Sequence, residues 1–170
     1  MAIVKIVSGG QTGVDRGAIE AARVMGFPYG GYIPKGRIAE DGKVPDIYVT
    51  MIEASNSNYR SRTYLNVRES DVTLILSRGK ELTGGTLQTV EYCEKKRKPY
   101  WIENPDKPKM YKGELKFLKW LSSAFGEGRQ IVLNVAGPRE SKDPGIEEAT
   151  RKFVQNLIGC NGRAREEIDQ

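Results

Sequence analysis

The sequence predicts one α/β domain: a Rossmann-like, three-layer arrangement with a mostly parallel sheet of about five strands and helices on both faces. Three observations predict it. Five short apolar runs alternate with amphipathic stretches, the pattern of strands joined by crossover helices. Glycine-containing turns at Gly9, Gly84 and Gly137 each follow one of those runs. The 170 residues carry neither an internal repeat nor a linker-like segment, so one core is expected over residues 1–160, followed by a polar, frayed tail over 161–170.

The elements follow in order. Ile3 to Val7 is an apolar run broken only by Lys5 and reads as a buried strand. After it, Val14, Ala18, Ala21 and Met25 form one helical stripe that Gly26 ends. Tyr29 to Ile33 is a short strand, left through Pro34-Lys35-Gly36-Arg37. From Pro34 to about Tyr59 no periodicity holds; a stretch of that kind is either a ligand-facing segment carrying Lys35, Arg37, Asp41 and Lys43 or a solvated excursion. Arg60 to Glu69 reads as a polar helix anchored by Leu65, and Val72 to Leu76 as a strand.

Thr83-Gly84-Gly85-Thr86 then opens a helix on which Thr86, Val90 and Cys93 face inward while Gln88 and Glu91 share another face. Pro99 to Ile102 is a strand, and Asn104 to Pro108 a turn cluster. Gly113 to Phe125 is a helix burying Phe117, Leu118, Leu121 and Phe125, with Trp120 in the core or at an interface. Ile131 to Val135 is the fifth strand, and Asp143-Pro144 reads as the N-cap and first residue of a closing helix that buries Ile146, Phe153, Val154 and Leu157.

Composition narrows the chemistry. There is no histidine, which removes Ser-His and Cys-His pairs, histidine bases and His-containing zinc sites. The cysteines, Cys93 and Cys160, have no paired spacing and read as reduced packing residues, so no protein-bound metal site is expected. No apolar run reaches the roughly 18 residues of a membrane span, and no basic segment with an apolar h-region opens the chain; a cytoplasmic protein without a membrane partner is expected. The net charge of +5 favours an anionic partner. The basic residues are scattered rather than arrayed on one helix, which argues against nucleic acid. Tyr29 and Tyr32 with Lys35 and Arg37 come nearest to an RNA-stacking surface.

The chemistry centres on Ser8-Gly9-Gly10-Gln11-Thr12-Gly13-Val14-Asp15-Arg16-Gly17, where a strand hands over to a helix. Such turns let the backbone approach a ligand closely and aim free amides and the positive end of the helix dipole at an anion. The motif departs from both the dinucleotide and the P-loop fingerprints. Asp15 reads either as a complement to the helix dipole or as a ribose or cation contact. In an open parallel sheet, ligands bind beyond the carboxyl ends of the strands, so all three glycine turns are expected to line one cleft. The ligand-binding set is then Gly9, Gly10, Gln11, Thr12, Gly13, Asp15, Arg16, Lys35, Arg37, Gly84, Gly85, Thr86, Gly137, Pro138 and Arg139.

Several of these pieces together resemble the family named putative molybdenum carrier proteins: Gly9 to Arg16, Pro34 to Arg37 with Ala39 to Gly42, Arg62-Thr63 with Asn66-Val67 and Ser70-Asp71, Gly84 to Thr86, and Asn134 to Arg139. The wider Rossmann-like superfamily includes the lysine-decarboxylase-like phosphoribohydrolases. The resemblance implies a fold that binds a nucleotide or oxyanion ligand, commonly in an oligomer, and for the carriers a hold on the molybdenum cofactor. The expected function is therefore that of a carrier, not an enzyme, for an anionic phosphorylated small molecule, either the molybdenum cofactor or a nucleotide, within a homo-oligomer.

The alternative is a nucleotide N-glycosidic bond hydrolase. The phosphoribohydrolase Pro-Gly-Gly-x-Gly-Thr-x-x-Glu pattern would fall on Thr83 to Glu91, with Glu91 as acid or base. Gly84, Gly85 and Glu91 match it. Thr83, Leu87 and Gln88 do not.

Overall fold

The computed structural model describes residues 1–79, 81–106 and 112–166. Its main sheet has six strands, all parallel: β1 (Ala2–Val7), β2 (Tyr29–Ile33), β5 (Met51–Glu53), β6 (Val72–Leu76), β7 (Tyr100–Glu103) and β8 (Gln130–Ala136), in the order β5-β2-β1-β8-β6-β7. The helices are α1 (Val14–Val24), α2 (Tyr59–Glu69), α3 (Gly84–Lys96), α4 (Lys112–Phe125) and α5 (Ile146–Glu166). The chain winds from β1 out to β5, crosses over to β6 and β7, and returns through β8 between β1 and β6. Winding direction therefore reverses around β1, β8 and β6, whose carboxyl ends lie side by side. A Rossmann-like sheet opens its ligand crevice at such a reversal.

The sixth strand comes from the segment that lacks periodicity. After β2 a single 3-10 turn, Lys35–Arg37, leads into a two-stranded antiparallel hairpin of β3 (Ile38–Ala39) and β4 (Gly42–Lys43), and then to β5 at the sheet edge. These strands are two or three residues long, too short for an alternating pattern to register. Ile33, Ala39, Val44, Tyr48 and Met51 pack there against Ile19 of α1 in a small cluster of their own.

The two faces of the sheet are filled differently. A continuous hydrocarbon core joins Ile6, Leu74 and Leu133 of the strands to Val14 and Ala18 of α1, Phe117 and Leu121 of α4, and Phe153, Val154 and Leu157 of α5. Helices α2 and α3 bury Val67, Val90 and Cys93 together with Thr63, Asn66, Thr86 and Thr89. On α2 the fully buried anchor is Val67, whereas Leu65 is half-buried. The helix is seated by a polar contact: the Asn66 carboxamide accepts from Tyr32 N at 2.7 Å and donates to Tyr32 O at 2.9 Å. A helix seated that way carries no apolar stripe to read.

Three more expectations are corrected. Met25 is exposed and Ile19 fully buried, because α1 is flanked on one side by the core and on another by the hairpin. The start of α5 is capped by Glu140 rather than Asp143: its carboxylate accepts from the amides of Gly145 and of Glu147, the latter at 3.0 Å. Asp143 instead meets the Arg78 guanidinium at 2.9 Å. The helix continues through Glu166 into the segment expected to fray, and Asn161 ties it to β1 by bonds of 2.9 and 3.0 Å to the backbone of Ile3. Residues Lys107 and Pro108 of the expected turn cluster lie outside the described residues.

The hairpin is clasped over the start of α1. Arg16 grips the Asp41 carboxylate with both terminal nitrogens, the Arg16 Nη2 to Asp41 Oδ1 bond being 2.9 Å. The neighbouring Glu40 accepts from the Thr12 hydroxyl and from Ser141 Oγ at 2.5 Å. The hydrogen bonds from Arg16 hold the Asp41 carboxyl below the usual aspartate range. A depressed carboxylate stabilises the fold above its unfolded pKa, and that contribution is lost as pH falls through the lower folded value. Asp41→Asn is thus expected to cost about 1 kcal/mol at neutral pH, a modest figure because Asp41 is half exposed. The deficit relative to wild type should vanish in acid below the usual aspartate range. Denaturant titrations across pH check this; a deficit independent of pH would rule the clasp out.

Candidate functional site

The β1, β6 and β8 turns meet in a cleft of about 720 Å³. From the β1 turn come Gln11 and Asp15; from the β6 turn Ser77 to Gly79 and Glu81 to Thr86; from the β8 turn Ala136 to Arg139, Lys142 and Asp143; and from α2 Arg62 and Thr63. The turns at Gly84 and Gly137 thus lie beside the opening motif, as parallel strands ending at one edge require.

Most of the opening motif serves the protein itself. At the N-terminus of α1, Gly13 N donates to Glu147 Oε2 at 3.0 Å, Val14 N to Pro138 O at 3.1 Å and Gln11 N to Asp15 Oδ2 at 3.3 Å. The amides expected to hold an anion are largely spent within the chain. A Cβ on Gly9 would fall 1.6 Å from Arg62 Nη1, so Gly9 is the space in which that guanidinium lies. Gly10 packs on Ile33 and Val44. Thr12 is held by Glu40, and Arg16 by Asp41. Lys35 is exposed beside the hairpin, and Arg37 binds the carbonyls of Val44 and Pro45 at 3.2 and 2.8 Å. Thr12, Arg16, Lys35 and Arg37 are not among the residues lining the cleft.

The α3 end is arranged differently. Thr83, at its N-cap, makes no side-chain capping bond, and the amides of Gly84, Gly85 and Thr86 find no acceptor among the described residues. A Cβ built on Gly84 or Gly85 would meet nothing within 4 Å. Gly85 also has no positive φ, so neither backbone conformation nor packing requires glycine there. The first turn of α3 presents bare backbone and the positive end of a helix dipole to the cleft. Glu91, one turn further on, is exposed and outside the lining, because Thr86, Thr89, Val90 and Cys93 occupy the inward face.

Four cations reach the cleft: Arg62, Arg78, Arg139 and Lys142. Sequence reasoning included only Arg139 among the ligand contacts. Arg78 is tied to Asp106, to Asp143 at 2.9 Å and to the carbonyls of Pro144 and Gly145 at 2.9 and 3.2 Å. It therefore fixes the β6 turn to the β8 turn. Arg139 is half exposed, 5.7 Å from the Tyr59 ring and 3.6 Å from Glu40. Lys142 has no ion-pair partner among the described residues. Arg62 meets Asp15 at 3.0 Å, and both are almost wholly buried. Arg78 could have been found from its place in a strand-to-helix turn. Arg62, in the first turn of α2 among other polar residues, gave no such signal.

Residues 6–158 match the model of the circularly permutated YpsA SLOG family. The chain belongs to this family. The chain is also similar to the solved structure of a "putative molybdenum carrier protein" from Syntrophus aciditrophicus SB. The two are 42% identical with a TM-score of 0.82, over 92% of this chain and 95% of that one. No curated protein matches this chain. Among the described residues no helix is long and apolar enough to cross a membrane, and no cluster of His, Cys, Asp or Glu is arranged to hold a metal ion.

Proposed function

We propose that this SLOG-family chain binds a phosphorylated small molecule, the molybdenum cofactor or a nucleotide, in the cleft between the β1, β6 and β8 turns. The observation that carries the reading is Gly85. A glycine near the start of a helix costs conformational entropy relative to alanine, and here neither sterics nor φ asks for it. Close approach of a ligand to the amides of Gly84 to Thr86 accounts for it. Lys142 and Arg139 supply full charges beside those partial ones, and the cleft volume suits a nucleotide-sized ligand. The solved relative's name points the same way. The molybdenum cofactor carries its own phosphate and its own metal, so the chain would need to grip only the organic part. Binding without turnover is favoured over hydrolysis because Glu91, the carboxylate matching the hydrolase pattern, faces away from the cleft.

Gly85→Ala tests this directly. The variant is expected to be as stable as wild type or more so, by up to about 1 kcal/mol, while its affinity for the phosphorylated ligand falls about tenfold or more. Thermal melts and calorimetric titration, with the ligand taken from native mass spectrometry of the purified protein, give the two numbers. Unchanged affinity would remove Gly85 from the site.

A further inference from the structure

The floor of the cleft is chemically unlike its mouth. Asp15 is 4% exposed, and its Oδ2 takes the bonds from Gln11 N and Arg62 at 3.3 and 3.0 Å. The Ser8 hydroxyl, within hydrogen-bonding reach of the same carboxylate, donates to Val135 O at 2.6 Å. Burial pushes the Asp15 carboxyl above the ordinary aspartate range despite the opposing charge of Arg62 and the hydrogen bonds it receives. Beside it, Gln11 spends Oε1 on the amides of Thr12 and Glu40, at 3.1 and 2.9 Å, and keeps Nε2 buried with no acceptor. Arg62 Nε is buried and unpartnered in the same way.

A desolvated carboxylate thus stands next to donors that lack acceptors, all on residues that line one cleft. A bare oxyanion is a poor complement to this floor. It would place like charge beside Asp15 and compete with that carboxylate for Arg62. An edge that carries ring N–H and amino donors next to a carbonyl satisfies both halves.

We propose that Asp15, Gln11 and Arg62 form a subsite for a lactam–amidine heterocycle edge, the edge shared by guanine and pterins. The cargo is then a phosphorylated heterocycle of that class and not a free oxyanion such as molybdate. The ring N–H and amino group donate to Asp15, and the ring carbonyl accepts from the Gln11 carboxamide. This rests on the phosphorylated-ligand reading above and fixes which end of the ligand lies where: phosphate at α3, heterocycle at Asp15. Adenine presents a bare ring nitrogen where the lactam presents N–H, so it sets a lone pair against the Asp15 carboxylate and is rejected.

The test is a calorimetric series on the full chain with inorganic phosphate, molybdate, ribose phosphate, adenosine monophosphate, guanosine monophosphate and a hydroxymethylpterin phosphate. Guanosine monophosphate or the pterin phosphate should bind at least about tenfold more tightly than adenosine monophosphate and ribose phosphate, the scale of one charge-assisted hydrogen bond. Whichever of the two binds more tightly identifies the ring system. In Asp15→Asn that preferred ligand should lose about tenfold or more, while inorganic phosphate and molybdate hold or gain affinity because a negative charge is gone.

Adenosine monophosphate or ribose phosphate binding as tightly as the better of the guanosine and pterin compounds overturns the subsite and leaves the phosphate site standing. A uniform loss across the series in Asp15→Asn does the same. No binding of any phosphorylated compound by wild type overturns the phosphorylated-ligand reading itself. The wild-type ranking decides the proposal even if Asp15→Asn does not fold.

Discussion

Gly13→Ala is expected to cost about 3–5 kcal/mol of folding stability, a large share of what a domain of this size has. Gly13 is the N-cap of α1, at φ 80° and ψ −132°, a conformation closed to L-residues. A Cβ there would also fall 2.4 Å from Pro138 O, 2.6 Å from Glu140 N and 2.7 Å from Arg139 C. All three are backbone atoms and cannot rotate away. Relief requires the β8 turn to move, which breaks Val14 N to Pro138 O and Gly13 N to Glu147 and opens the wall of the cleft that holds Arg139. Urea denaturation gives the loss; a variant within about 1 kcal/mol of wild type would show that the two turns are not locked together. The same substitution at Gly85 is expected to leave stability intact and to weaken binding. One glycine serves the fold and the other serves the ligand.

This contrast also explains what could be read from the chain alone. The apolar runs Ile3 to Val7, Val72 to Leu76 and Ile131 to Val135 are central strands buried on both faces, and hydrophobic periodicity reports such strands well. The Gly9, Gly84 and Gly137 turns were legible as neighbours because parallel strands end at one edge. Local pattern could not tell which glycines face inward. Gly9, Gly10 and Gly13 are filled by Arg62, Val44 and the backbone around Pro138, contacts far apart in sequence. Arg16 looked like a ligand contact for the same reason, since Asp41 reaches it only through a hairpin of two-residue strands. Arg62 belongs to the family resemblance, but its place in the cleft was not legible because α2 is seated by Asn66 and not by an apolar stripe. Glu91 matched a catalytic spacing, but the 3.6-residue turn of α3 carries it away from the inward Thr86 and Thr89.

Arg62→Ala is expected to destabilise the protein by about 3–5 kcal/mol at neutral pH, because it strands the Asp15 carboxylate in a site built for an ion pair. Asp15 is 5% exposed at its side chain and Arg62 13%, so water cannot readily take the place of the lost guanidinium. The pH dependence has a definite sign. Burial already places the Asp15 pKa above its ordinary value, and Arg62 is the largest influence opposing that rise; without Arg62 the folded pKa climbs further. A carboxyl whose folded pKa exceeds its unfolded one stabilises the fold most below the unfolded value, where it is protonated in both states. It costs stability progressively as pH rises through the folded value. The deficit of Arg62→Ala relative to wild type should therefore be largest at and above neutral pH and shrink on acidification, the same direction as for Asp41→Asn, whose deficit arises instead from the loss of a depressed carboxyl. Adding Asp15→Asn to Arg62→Ala replaces a stranded charge with a neutral amide, and the double variant should recover part of the loss and its pH dependence together. Denaturant titrations of the four proteins at several pH values close the cycle. A deficit that neither varies with pH nor responds to Asp15→Asn would mean that Arg62 acts through packing alone.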